Sequence, residues 1–392
     1  MTKKIPLITL ARKGTHRCLD GHPWVFGNEF AAPLGIESGS AVELADWNGR
    51  FIGIGYYNPK SKIAVRIFSK DPEAILDINL IRKRIVSAKI ARAKFFSEDE
   101  PRRIFFSEGD FLPGLIADIY GKVIVFQILS LGLELKRELI VEALLDVYKP
   151  SAIYERSDSA SRSLEGLEIR LSDAYGTTPD RIETESDGVK FVVYPKIGHK
   201  TGAYLDQRLN RRRFASYATG AKVLDAFAYN GLFSLYSAAG GAKELTAIES
   251  SKSMTDILKE NAEMNGVNIE TVIESAFETL KRFEIEGRRF DLISLDPPAF
   301  VPRSEQLRQA LRGYKELNMR AMKLIEENGV LFTSSCSFHL KREDFIETLK
   351  SAMKDTGRNL QLLELTSAAP DHPIRLNIPE TDYLKCAVLR AV

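Results

Sequence analysis

The sequence predicts a multidomain α/β protein, and three observations carry that prediction. Its 392 residues exceed what one ordinary core of about 100–200 residues holds. The first part reads as short strands separated by Gly, Asn, Asp and Pro, the pattern of a small β-barrel-like module. The last part, from about Tyr194, alternates strand and helix, as an open, mostly parallel sheet covered on both faces requires.

In chain order, strand-like stretches fall at 5–10, 41–45, 51–57 and 63–68, and Asp71-Pro72 then breaks the pattern. Residues 75–96 show helical apolar spacing with basic residues on the other face. Strands at 115–119 and 123–129 flank the turn Gly121-Lys122, an amphipathic helix spans 134–148, and strands return at 152–155 and 191–194. This middle part reads as a small α+β unit, with 167–171 as a further strand candidate inside a loop-rich segment. Beyond it, strands are expected at 223–227, 244–249, 270–274, 292–296, 329–334, 360–365 and 384–389, with helices between them. The expected division is therefore 1–72, 73–193 and 194–392.

An apolar content of 44% with 28% charge is that of a soluble globular chain. The most apolar stretch, 123–135, is interrupted by Gln127 and Ser130, short of the roughly 18 apolar residues a membrane span needs. The N-terminus shows no secretory apolar core, so no membrane association and a cytoplasmic location are expected. Cys18, Cys336 and Cys386 are too widely spaced for a disulfide framework or a zinc site, which implies a reduced compartment and no metal. With a net charge of +2, any nucleic-acid partner must be argued from local clusters. These are Arg208, Arg211, Arg212 and Arg213; Arg181, Lys196 and Lys200; and Arg102 with Arg103, the arginines at 211–213 being expected to face RNA. A homodimer is compatible with the sequence.

Asp225 ends an apolar strand and leads through Ala226-Phe227-Ala228-Tyr229-Asn230-Gly231 into an amphipathic helix. Ligands of open α/β sheets bind beyond the carboxyl ends of the strands, so this turn is the natural cofactor position. The absence of GxGxxG weighs against a pyrophosphate-bearing dinucleotide. Glu249, at the end of the next strand, has the spacing of a carboxylate that accepts both hydroxyls of a ribose. An adenosyl ligand without phosphates fits both facts; the plainer alternative is that Asp225 caps the helix and Glu249 is an exposed strand end. Downstream, Ser335-Cys336-Ser337-Phe338 follows the apolar run 330–332, and Asp296-Pro297-Pro298-Ala299-Phe300 follows the strand expected beside it.

These motifs, with Lys200-Thr201-Gly202-Ala203-Tyr204-Leu205-Asp206-Gln207-Arg208-Leu209-Asn210-Arg211, resemble those of class I S-adenosylmethionine-dependent methyltransferases. The closer resemblance is to a family of ribosomal RNA large-subunit cytosine-5 methyltransferases. His22-Pro23-Trp24-Val25-Phe26 and Gly55-Tyr56-Tyr57-Asn58-Pro59 resemble the PUA module of that family, so the likeness covers nearly the whole chain. It implies an N-terminal PUA-like β-barrel that binds RNA, a central α+β unit and a C-terminal Rossmann-like methyltransferase domain. S-adenosyl-L-methionine is the implied cofactor, with Gln207, Arg208 and Phe227 near its methionine end. Asp225, Asn230 and Gly231 would shape the turn, Glu249 beside Ser250 would hold the ribose, and Ala276 and Phe277 the adenine. Ser275 stands where the family commonly has an acid, leaving Glu274 as a substitute.

The implied reaction is methyl transfer to carbon 5 of a cytosine in structured ribosomal RNA. A Cys336 thiolate would add to carbon 6, and Asp296 would hold the base. Many RNA cytosine-5 enzymes carry a second cysteine after the Asp-Pro pair, where this chain has Pro298. Methylation of an exocyclic amine, with Asp296 and Phe300 holding the base, is the alternative chemistry. A non-catalytic RNA-binding assembly factor is the alternative class, and the intact set Asp225, Glu249, Asp296 and Cys336 argues against it.

Overall fold

The computed structural model describes residues 5–33, 35–198, 201–300 and 307–392. Lys200 lies outside the described residues. Two compact units divide the chain: 1–182, 193–203 and 370–381 form one, and 183–192, 204–369 and 382–392 the other.

In the first unit, β1 (Leu7–Thr9), β2 (Trp24–Val25), β3 (Ala41–Ala45), β4 (Phe51–Tyr57) and β5 (Val65–Ser69) form one sheet in the order β1-β3-β4-β5-β2. Alternate residues of these strands, Val42 and Leu44 among them, pack with Ile8, Val25 and Val65 in its core. Strand β2 escaped the sequence reading because two residues carry no period. Helix α1 (Ile78–Arg92) is shorter than expected because Asp77 caps it, its carboxylate accepting from Leu80 N at 2.9 Å. The helix buries Ile81, Ile85, Ala88 and Arg92, one stripe at helical spacing.

The second sheet contains β6 (Arg102–Phe106), β7 (Leu115–Tyr120), β8 (Val123–Ile128), β9 (Ala152–Ser157) and β10 (Arg170–Tyr175), in the order β10-β9-β8-β7-β6. Between β8 and β9, which are parallel, the chain crosses over through α2 (Leu131–Glu134) and α3 (Arg137–Tyr148); α4 (Ser161–Leu164) follows β9. The single helix expected at 134–148 is thus two. Gly132 of α2 lies so close to the Tyr56 ring that a Cβ there would fall 2.1 Å from it.

Strand β6 was hidden by its arginines, which read as surface charge. Arg103 makes two hydrogen bonds to Asp118, at 2.8 and 2.9 Å, and Arg102 donates to the carbonyls of Ser97, Glu98 and Glu100. Asp118 also accepts from Thr201 Oγ1, and Tyr120 OH accepts from Ala203 N at 3.0 Å. The start of the 200–211 motif is therefore an anchor of the first unit.

In the second unit, β11 (Ile182–Ser186) and β12 (Val189–Val193) form a two-stranded ladder, and Val192 N donates to Asn261 Oδ1 at 2.8 Å. After α5 (Arg208–Ala215) come β13 (Lys222–Ala226), α6 (Leu232–Ala239), β14 (Glu244–Ile248), α7 (Lys252–Met264), β15 (Glu270–Val272), α8 (Ala276–Ile285) and β16 (Phe290–Leu295). Helix α9 (Leu307–Leu324), β17 (Ile325–Ser335), α10 (Arg342–Thr356), β18 (Leu360–Thr366) and β19 (Lys385–Ala391) complete it. The seven strands, all expected from sequence, lie in the order β15-β14-β13-β16-β17-β19-β18, parallel up to β17 and antiparallel beyond.

Neighbouring residues of the central strands go to opposite layers, as a sheet covered on both faces demands. Leu224, Ile293 and Leu331 pack with Leu280, Phe283 and Tyr314, whereas Val223, Leu292 and Val330 pack with Phe214 and Phe233. Cys386 is buried in the second layer and Cys18 in the first unit's core; burial pushes each thiol up to about 12. Both behave as small hydrophobic groups. Among the described residues, no helix is long and apolar enough to cross a membrane.

The 370–381 segment is held to the first unit by charge. Arg17 donates through Nη1 and Nη2 to the two carboxylate oxygens of Glu380, both at 2.8 Å, and His22 Nε2 lies 3.0 Å from one of them. Although burial opposes it, this set of donors holds the Glu380 carboxyl down at about 2. Its folded pKa is thus below its unfolded one, so its stabilisation is present above about pH 4.5 and lost as pH falls toward 2. Glu380→Gln should lower stability at pH 7 by on the order of 2–3 kcal/mol and flatten the acid limb of the stability curve, as measured by urea unfolding across pH.

Candidate active site

The carboxyl edge of the seven-stranded sheet gathers the residues singled out by sequence. Asp225 is 1% exposed, and its Oδ2 accepts from Ser234 N at 3.0 Å and Ser234 Oγ at 2.8 Å. It therefore does cap α6, but with one oxygen only: Oδ1 is buried with no hydrogen-bond partner among the described residues. Burial pushes this carboxyl up to about 7, with Asp296 and Glu249 adding like charge and the Ser234 hydrogen bonds opposing. The turn that follows is bent at non-glycine residues, with φ of 65° at Phe227 and 53° at Tyr229, each costing on the order of 1 kcal/mol. Gly231 at φ 80° opens α6, where a Cβ would come within 2.7 Å of Leu258.

Glu249 is tied to that turn. Its Oε2 accepts from Tyr229 N at 2.9 Å and its Oε1 from Ser251 N at 2.8 Å and Ser250 Oγ at 3.5 Å, which aims the carboxylate and leaves Oε2 a further lone pair. Exposed Ser250 follows it. Asn230 is buried, its carbonyl accepting from Asn261 Nδ2 at 2.9 Å. Ala276 and Phe277 open α8, Ala276 buried and Phe277 half-buried. Glu274 is engaged through one oxygen: its Oε2 accepts from Thr279 Oγ1 at 2.7 Å and Arg282 Nη2 at 3.1 Å.

Asp296 and Cys336 are the first residues after the parallel strands β16 and β17. They meet at the edge: Cys336 Sγ lies 3.9 Å from the carbonyl of Pro297, and the thiol is partly exposed. Buried Gln207 donates through Nε2 to Asp296 Oδ1 at 2.8 Å and to Ser334 Oγ at 3.2 Å. Its Oε1 accepts from Asn210 Nδ2 at 2.6 Å, and Asn210 Oδ1 accepts from Thr366 Oγ1 at 2.7 Å. Gln207, assigned from sequence to the methionine end of the cofactor, is thus the side chain that orients Asp296.

The residues on either side of Cys336 are also held. The Tyr314 hydroxyl accepts from Ser335 Oγ at 2.9 Å and lies 3.0 Å from Ser337 Oγ. Lys385, opposite Ser335 in the β17–β19 ladder, donates through Nζ to the Ser337 carbonyl at 2.8 Å. This lysine is 2% exposed, and burial pulls it down to about 8 while Cys336 and Asp382 favour its charged form. Sequence reasoning missed it: a lysine inside a strand looks like an ordinary solvent-facing residue. Phe300, the platform that amine methylation would need, instead packs 4.9 Å from Tyr314 and 6.1 Å from Phe277, ring to ring.

The basic clusters read from sequence are mostly structural. Arg208 and Arg211 are buried, Arg211 lying over the Tyr236 ring at 5.7 Å, which corrects the expectation that it faces RNA. Arg212 pairs with Asp187, Arg213 with Glu364 at 2.9 Å, and Lys196 with Asp180 at 2.7 Å. Among the described residues, no group of three or more His, Cys, Asp or Glu side chains is placed to hold a metal ion.

Comparison with known proteins agrees with this geometry. Residues 8–70 match a PUA-like domain and residues 157–372 an S-adenosylmethionine-dependent methyltransferase. The ribosomal RNA large subunit methyltransferase I of Aeromonas hydrophila is 40% identical over 378 residues, covering 94% of this chain and 95% of that protein. The Klebsiella pneumoniae protein of the same name is 35% identical over 387 residues, 97% of each. Among solved structures, a protein from Streptococcus mutans shares the fold with a TM-score of 0.85 at 21% identity, covering 98% of this chain and 100% of that one. The residues at the sheet edge fit an adenosyl cofactor: a buried carboxylate oxygen of Asp225 lacks a donor, and Glu249 is aimed with acceptor capacity in reserve. The chain therefore belongs to the S-adenosylmethionine-dependent methyltransferase family, alongside the ribosomal RNA large subunit methyltransferases I, with a PUA-like domain at its N-terminal side and S-adenosylmethionine as its cofactor.

Proposed function

We propose that this enzyme methylates carbon 5 of a cytosine in large-subunit ribosomal RNA through a covalent bond to Cys336. The observation that carries the reading is the meeting of Cys336 with the Asp296-Pro297 turn, the thiol 3.9 Å from the Pro297 carbonyl. Bound S-adenosylmethionine supplies a methyl group made electrophilic by its sulfonium. Gln207, Arg208 and Phe227 would lie toward its methionine end, Asp225, Asn230 and Gly231 at the turn, Glu249 and Ser250 at the ribose, and Ala276 with Phe277 at the adenine.

Carbon 5 of cytosine is a poor nucleophile until a thiolate adds to carbon 6 and makes the ring enamine-like. Cys336 forms that bond, and loss of the carbon-5 proton after methylation expels the thiolate again. Asp296, oriented by Gln207, accepts from the amino group of the base and, when protonated, donates to its ring nitrogen as negative charge develops there. The packing of Phe300 against Tyr314 and Phe277 favours this reading over amine methylation.

A thiolate needs nearby positive charge, and Lys385 supplies it. Its ammonium is held on the carbonyl next to Cys336; Asp382 and Arg342 of α10, which pair with each other, are further charged neighbours, the first favouring its charge and the second opposing it. In the same reading, 1–72 is an RNA-binding domain, 73–193 a central domain and 194–392 the methyltransferase domain of a cytoplasmic enzyme.

Cys336→Ala should abolish turnover while leaving cofactor affinity and thermal stability near wild type. RNA carrying 5-fluorocytosine at the target should be trapped covalently on the wild-type enzyme, as read by a shifted band on denaturing gels; substantial activity of Cys336→Ala would sink the mechanism. Glu249→Ala should cost on the order of 1–3 kcal/mol of S-adenosylmethionine affinity by calorimetry. Lys385→Met should raise the pH midpoint for alkylation of Cys336 by iodoacetamide, and Lys385→Arg should restore part of the shift. The effect should fade above about pH 8, where Lys385 loses its proton. Buried Cys18 and Cys386 stay silent in this assay, which needs neither RNA nor cofactor.

A further inference from the structure

The first unit holds a cationic site that no run of the sequence announces. Arg84 on α1 and Arg375 in the 370–381 segment both lie against Phe111, their guanidinium carbons 5.1 and 3.5 Å from the ring centroid. Arg84 Nη2 donates to the Phe68 carbonyl at 3.2 Å, and the backbone N of Arg375 donates to Thr381 Oγ1 at 2.8 Å. Neither guanidinium is ion-paired among the described residues. Lys70, which is exposed, lines the same cavity with Pro113 and Glu108. The Glu108 carboxylate is held by Trp24 Nε1 at 2.8 Å and by Ser107 Oγ, with Arg66 at 3.9 Å, and pairs with neither Arg84 nor Arg375.

The site is built rather than incidental. Phe111 is 46% exposed and sits at φ 66°, a conformation that a phenylalanine rarely adopts. The loop presenting Arg375 is fastened at both ends: Arg92 Nη2 donates to Asp371 O at 2.8 Å, Arg103 N donates to Asp371 Oδ2 at 3.0 Å, and Glu380 is held by Arg17 and His22. Two like charges are thus brought to one ring, and among the described residues neither has an ion-pair partner. Burial, and for Arg375 also the charge of Arg84, pulls both guanidinium groups below their ordinary range. An anion bound in the cavity that both line would offset that cost, and a phosphate oxygen suits the planar donors of arginine.

We propose that Arg84, Arg375 and Lys70 form a binding site for a phosphodiester of the RNA substrate, with Phe111 as the apolar floor beneath the two guanidinium groups. The proposal rests on the RNA reading given above and adds a second contact to it, made by no residue of the methyl-transfer centre. Phosphate contacts position a nucleic acid without reading its sequence, so this site would add RNA affinity and no base specificity.

The test uses the full chain and an unmodified large-subunit ribosomal RNA transcript. R84Q/R375Q should bind the transcript about tenfold or more weakly near 0.1 M salt, with a salt dependence flatter by about two contacts. R84K/R375K should keep most of the salt dependence, and S-adenosylmethionine affinity should be unchanged in both. In the wild-type protein, phenylglyoxal labelling of Arg84 and Arg375, mapped by mass spectrometry, should be blocked by the transcript, which covers the case in which R84Q/R375Q fails to fold. Unchanged RNA affinity and salt slope in R84Q/R375Q, or undiminished labelling with RNA bound, overturns the site and leaves the function standing. Protection by inorganic phosphate but not by RNA also overturns it. A wild-type protein that binds no RNA overturns the function, and the site with it.

Discussion

Parallel pairing of β16 with β17, which sets Leu295 opposite Thr333, is the constraint on which the active centre depends. Parallel strands end on the same edge, so the residues just beyond them, Asp296 and Cys336, meet although they are forty positions apart in sequence. Strand β19 enters that edge from the opposite direction, and its antiparallel ladder with β17 puts Lys385, its first residue, opposite Ser335. An acid, a thiol and a cation converge because two strands finish and a third begins at one place. No long loop has to carry any of them, and a site built on sheet ends keeps its geometry better than one built on loops.

The side chains around that edge are arranged to hold still. Gln207 is fixed at both ends of its amide, by Asp296 and Ser334 on one side and by Asn210 on the other, and Tyr314 holds the serines that flank Cys336. A buried polar network of this kind rigidifies when its members are satisfied. The cofactor side of the edge carries the opposite character. Asp225 keeps an unpartnered buried oxygen close enough to Asp296 and Glu249 to feel their charge, and Phe227 and Tyr229 occupy costly backbone conformations. Local stability has been given up where a ligand is to be received, which is where such strain usually collects.

Charge is distributed by the same logic. The arginines that cluster in sequence, Arg102, Arg103, Arg208 and Arg211, are consumed by the fold, whereas Arg84, Phe111 and Arg375 are assembled from three distant segments. A net charge of +2 conceals both facts, because total charge says nothing about which cations are paired. The 370–381 segment belongs with the first unit although the residues before and after it, 369 and 382, belong with the second. Its Glu380 and Asp371 provide the attachment.

By itself the sequence determined the seven strands of the large sheet, because each central strand is an apolar run between turn signals, and local period decides such elements. It also determined the turn after Asp225, Glu249 at the next strand end, and the two motifs that carry Asp296 and Cys336, since short strings of this kind are legible without partners. Strands β2 and β6 were not legible: one is too short to show a period, and the other hides two arginines whose burial depends on Asp118 and on nearby backbone carbonyls. Only the tertiary structure decided that Gln207 orients Asp296, that Glu274 turns to Arg282, and that Lys385 backs the cysteine turn. The physical reason is common to all three. A polar side chain is placed by the partners that satisfy it, and those partners arrive from strands and helices whose proximity no local pattern records.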